Sequence, residues 1–234
     1  MKYINDDIGK NDADGAEDAV SSTALLESRL QALQDRIREL NLEAVIQKAE
    51  LQIDAATILV DLDRGKEAWD LARAALDPLL AEQKWEQAAL ACLAMFHSDQ
   101  PDALPALGQA IWLAVTFPID PELTVAALQN VVDETPDDSD GAAIAAVTAH
   151  YIADMRAEGK QRDDLLFFTN NLIGTVARRH SDVSSQQKFD SWFARLELND
   201  PDKFLIRLRN IVDVMVQDEW WFDRDSLQQT LPVA

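Results

Sequence analysis

Glycine is scarce, with seven in 234 residues, and cysteine occurs once, at Cys92. A lone thiol can neither close an intramolecular disulfide nor supply a multi-thiolate metal site, so a reducing, cytoplasmic setting is expected. So few glycines leave no cradle for nucleotide phosphates. Gly65 with Lys66, and Gly159 with Lys160, both lack the upstream glycine of a phosphate-binding loop. Basic residues are outnumbered by acids, 21 to 42, for a net charge of −21. A field of that sign opposes the counterion release by which Lys and Arg bind nucleic acid, and it repels anionic lipid surfaces. Long apolar runs are also missing. Residues 111–117 form one of the longest, well under the roughly 20 that a bilayer requires. Residues 1–20 have no apolar stretch and no small-residue cleavage site, so no secretory signal is expected.

What the chain does contain is helical spacing. From 22 to 217 the apolar residues recur every three or four positions, and nothing alternates in the manner of a strand. The expected fold is all-α: about ten helices stacked as antiparallel hairpins in a solenoid-like array, with a compact helical bundle as the alternative. Residues 1–21 carry Asp6, Asp7, Asp12, Asp14, Glu17 and Asp18 with few apolar groups, and predict a mobile acidic tail. One helical domain is expected over 22–234. It comprises a short heptad helix over 22–41, hairpins over 43–217 and an aromatic C-terminal segment over 218–234. In the heptad helix, Leu26, Leu30, Leu33, Ile37 and Leu40 form a narrow seam. That seam either docks within the chain or joins two copies as a homodimer contact through 26–40.

Helices are expected near 43–62, 66–80, 84–97, 102–116, 121–133, 139–158, 162–180, 184–197 and 202–217. Asp120 before Pro121, and Asp200 before Pro201, place a capping carboxylate ahead of a proline that suits the first helical position. Ser184 with Gln187 reads as a capping box. Hairpins begin about every 40 residues, the step of stacked helical hairpins, although they share no residue signature.

Catalytic chemistry finds no footing. His97, His150 and His180 have no Glu or His one turn before them, so helical metal pairs are absent, and no metal or cofactor is expected. Asp133, Glu134, Thr135, Pro136 and Asp137 match in composition the acidic motif of helical terpene synthases. There the carboxylates project from a helix into a cavity, whereas Pro136 interrupts this run and Asp138, Ser139, Asp140 and Gly141 extend it as a polar turn. No nucleophile motif is present, and Cys92 lies on an apolar face as a small core residue. Arg178, Arg179 and His180 form the one basic cluster, at a helix end where cations suit the dipole.

Aromatics carry the remaining signal. Trp69, Trp85 and Trp112 fall on apolar faces. Trp220, Trp221 and Phe222 are consecutive, so they cannot all face one core. The expected function is protein interaction, as an adaptor, scaffold or assembly chaperone: apolar side chains within an acidic rim would receive a protein partner, a basic one by charge. The contact residues are Trp192, Trp220, Trp221 and Phe222, with Asp137, Asp138 and Asp140 as an electrostatic patch. No catalytic residue is assigned. The alternatives are a helical enzyme or ligand carrier with a cavity between hairpins, and a structural subunit of a larger complex.

Overall fold

The computed structural model describes residues 1–4, 16–217 and 219–231. Among them are eleven α-helices and no strand. They are α1 (Ala16–Glu39), α2 (Val45–Asp61), α3 (Gly65–Ala81), α4 (Trp85–His97), α5 (Ala103–Thr116), α6 (Pro121–Glu134), α7 (Asp140–Arg156), α8 (Gly159–Ser181), α9 (Gln186–Arg195), α10 (Pro201–Val216) and α11 (Arg224–Gln228). The all-α class is as the spacing predicts, and helices adjacent in sequence pack in pairs. The chain divides into two compact units: Asp6–Leu113, and Met1–Asn5 together with Ala114–Ala234.

In the first unit α2 packs on α1, α3 and α4, and α3 packs on α4. Alanines make close approach possible: Ala55, Ala56, Ala68, Ala72, Ala75, Ala88 and Ala91 are fully buried between larger residues such as Leu59, Leu76, Leu79 and Met95. Cys92 is buried with them, and burial pushes its thiol up to about 12. The tight joints after α2, α3 and α4 each use a left-handed residue that is not glycine: Asp63, Gln83 and Asp99. Arg64 N–H then donates back to Leu59 O, and Lys84 N–H to Leu79 O, both at 2.8 Å. Gly65 opens α3, and a Cβ there would lie 2.1 Å from the Ser98 carbonyl oxygen.

The heptad seam faces α2. Leu30 is buried, and Leu26, Leu33, Ile37 and Leu40 are half-buried where α1 packs against α2. The seam is thus used within the chain.

In the second unit α7 packs on α6, α8 and α10. Its small residues, Ala142, Ala143, Ala145, Ala146, Ala149 and Ala153, are buried on every side, which lets it serve as the central helix. Both Asp–Pro starts behave as predicted: Asp120 accepts from Glu122 N–H at 2.9 Å, and Asp200 from Asp202 N–H at 3.2 Å. The cap of α9 is Ser185, accepting from Lys188 N–H, one residue beyond the expected Ser184.

The expected tail over 1–21 differs at both ends. Its residues 5–15 lie outside the described residues, but α1 starts at Ala16, and the segment 1–4 is docked. Ile4 is buried, and the Tyr3 and Ile4 amides donate to Glu122 Oε1 at 2.6 and 3.3 Å. An apolar side chain and two backbone donors thus meet a buried carboxylate in the first turn of α6, a partner far away in sequence.

Candidate functional sites

In the second unit the acidic turn between α6 and α7 meets basic groups from α8 and α10. Asp140 Oδ1 accepts from His180 Nε2 at 3.1 Å, and Asp140 Oδ2 from Arg207 Nη2 at 2.9 Å. Asp137 stands 3.8 Å from Arg179 Nε. Arg179 also donates to the Val132 carbonyl at 2.6 Å, and Arg207 to the Leu196 carbonyl at 2.7 Å, so each guanidinium closes the end of a neighbouring helix. The basic cluster at 178–180 therefore serves α6 and α7 as well as its own terminus. Two of the three acids proposed as a patch face bases of their own unit, which weakens their field on a partner; Asp138 is exposed.

His180 links this turn to α9. The Trp192 indole N–H donates to His180 Nδ1 at 3.1 Å, and the Ser181 hydroxyl lies 2.7 Å from the same nitrogen. An indole only donates, so Nδ1 is an acceptor and the ring proton sits on Nε2, facing Asp140. Ser181, His180 and Asp140 stand in the order of a nucleophile, base and orienting acid. The base nitrogen, however, is already engaged by Trp192, and Ser181 Oγ accepts from Arg195 Nη2 at 3.0 Å. The arrangement ties three helices together and leaves no lone pair positioned to take a proton from Ser181.

Trp192 is a correction to the expected contact set. It is 2% exposed and lies with Phe189 and Phe193, ring centroids 5.8 and 6.3 Å away, so it packs the inside of the unit.

Trp220, Trp221 and Phe222 are half-exposed at the end of α10. The Arg224 guanidinium lies 4.0 Å from the Trp220 ring centroid and donates to Asp213 Oδ1 at 2.8 Å. Trp220 and Phe222 meet edge-on at 5.8 Å. Asp223 caps α11, accepting from the amides of Asp225 and Ser226 at 3.1 and 3.2 Å. The rings are thus held in place while remaining accessible.

The first unit contains a surface that no motif signals. The start of α2 and the end of α3 line a hollow of about 730 Å³ with Ala44, Val45, Ile46, Pro78 and Ala81, and with Glu43, Asp77 and Glu82 at its edge. Leu42 beside it is 98% exposed, a large apolar group with no cover. Asp77 is paired with Arg73 at 2.9 Å, whereas Glu43 and Glu82 have no ion-pair partner among the described residues. The run 42–46 has no helical periodicity of its own, so only the closing of the α2–α3 hairpin brings Pro78 and Ala81 beside it.

No group of three or more metal-ligating side chains occurs among the described residues, and no described helix is long and apolar enough to cross a membrane. His150 is half-buried, its Nδ1 2.9 Å from Thr169 Oγ, and burial holds the imidazole below the usual histidine range. Comparison with protein-family models, with curated proteins and with solved structures finds no match in any of the three.

Proposed function

We propose that the protein is an interaction module that binds a basic, apolar-anchored segment of another protein, as an adaptor, scaffold or assembly chaperone in the cytoplasm. The observation that carries this reading is the hollow at 43–47 and 77–82: an aliphatic lining, an uncovered Leu42, and charges of one sign, two of them without an ion-pair partner among the described residues. Apolar contact gives such a site its residence time, and the acidic edge selects the sign of the partner and speeds encounter. The accessible rings at 220–222 support the same reading as a second contact, since aromatic side chains already ordered before binding forfeit little rotamer freedom. No catalytic role accompanies this reading.

The test uses two fluorescent twelve-residue amphipathic peptides with identical leucine positions, one carrying lysines and the other glutamates. The lysine peptide is expected to bind, and Glu43→Lys with Glu82→Lys to weaken it at least tenfold. An unchanged affinity in that variant would mean that the peptide responds only to the overall charge of −21, and would remove the hollow as the site.

A further inference from the structure

Beside the seam, α1 and α2 enclose a second groove of about 460 Å³, lined by Arg29, Ala32, Leu33 and Arg36 from α1 and by Asp54, Thr57, Ile58 and Asp61 from α2. Its lining combines apolar side chains with charges of opposite sign, arginines from α1 and aspartates from α2. The two arginines are seven residues apart, as are the two aspartates, so each pair spans two helical turns, roughly 10 Å. None of the four has an ion-pair partner among the described residues. Leu25, one turn before Arg29 on the same outer face, is 62% exposed.

We propose that this groove binds a second copy of the chain, each copy laying the outer face of its α1 into the groove of the other, antiparallel about Ala32. Charge identifies the occupant. Two molecules of net charge −21 repel each other over most approaches. They can meet only through a surface that is locally balanced and self-complementary, which is what a two-fold interface demands.

This groove pairs two bases with two acids in a chain holding twice as many acids as bases. The geometry agrees. α1 and α2 are consecutive, packed and joined by the five residues 40–44, so they run in opposite directions. A second α1 laid antiparallel to the first runs parallel to α2. Its Arg29 and Arg36 then follow the same order and spacing as Asp54 and Asp61. Ala32, at the crossing, is small enough for the helices to approach closely. The interface uses the face of α1 that flanks the heptad seam, with Leu33 shared between the two, and does not depend on the hollow at 43–47.

The pairing is tested by complementary charge reversal, read by sedimentation velocity from 1 to about 100 μM in moderate salt. The wild-type chain is expected to form a dimer in this range. The variant Arg29→Glu with Arg36→Glu has two acidic walls, and Asp54→Lys with Asp61→Lys has two basic ones; alone, each should dimerise at least tenfold more weakly. Mixed in equal amounts they should regain the wild-type midpoint to within about threefold, because every contact then joins opposite charges across the two copies. A purely intramolecular role for these residues cannot be rescued by mixing. If either double variant loses helix by circular dichroism, the single pair Arg36→Glu and Asp61→Lys gives the same reading. A wild-type chain that stays monomeric to 100 μM, variants that associate like wild type, or a mixture that fails to recover each overturn the proposal.

Discussion

At the scale of single residues, the side chains that decide local structure do so through what stands opposite them. Gly65 is required by its closeness to Ser98, not by its backbone angles. Gly65→Ala would press a methyl group against a backbone oxygen 2.1 Å away, and it is expected to cost more than about 1 kcal/mol of stability by chemical denaturation. A variant as stable as the parent would show that the joint relaxes without loss. His150 makes a second residue-scale prediction. Its imidazole, desolvated by burial, binds a proton less readily in the folded chain than in the unfolded one. Its contribution to stability is therefore fully present above the ordinary histidine value of about 6.5, and is lost as pH falls from there through the lower value of the folded chain. His150→Gln, which keeps a donor for Thr169, should flatten the fall in melting temperature between pH 7 and 5. An unaltered slope would assign that fall to other groups.

At the scale of elements, the recurring problem is how helices end without glycine. The chain answers with left-handed Asp, Gln and Glu residues, six among those described, and with arginines that reach across to another helix's last carbonyls. Arg156 is the most developed case. From the end of α7 it donates to the carbonyls of Ala114, Val115 and Phe117 at 2.8, 2.5 and 3.1 Å, and burial lowers its pKa without making the guanidinium neutral. Arg156→Met keeps most of the aliphatic length and removes the donors. It is expected to destabilise the fold by about 2–4 kcal/mol, since charged hydrogen bonds disappear and three carbonyls are left unanswered. A loss under 0.5 kcal/mol would mean that water takes over the role. Helix positions were legible in the sequence to within a few residues over α2–α10, because apolar spacing and the two Asp–Pro starts are local signals. α11 was not foreseen: its five residues are too short to show a period, and it rests on the Asp223 cap.

For the whole molecule, the docked segment at 1–4 is the clearest effect of long-range contact. Its composition reads as unable to order itself, yet Ile4 and two amides find Glu122. Deleting residues 1–4 exposes the site of a buried isoleucine and strips donors from a buried carboxylate. A loss of about 2 kcal/mol or more is expected in equilibrium unfolding; no change would place the segment outside the cooperative fold. The candidate sites divide in the same way. The rings at 220–222 announced themselves, because three consecutive aromatics cannot share one face. Trp192 misled, since burial beneath His180 is decided by helices α8 and α9 meeting, and nothing in its neighbours in sequence records that. The hollow at the α2–α3 end was invisible for a similar reason, its lining coming from two stretches some 30 residues apart.

Taken alone, the sequence determined the helical class, most helix limits and the surplus of acid, since each depends on residues within a few turns of one another or on composition. Tertiary structure alone decided where the left-over groups went: which carboxylates were answered by arginines, which tryptophan was covered, and which apolar surfaces stayed open. Those outcomes depend on the meeting of helices distant in the chain, and periodicity along one helix carries no information about the face that a second helix will present.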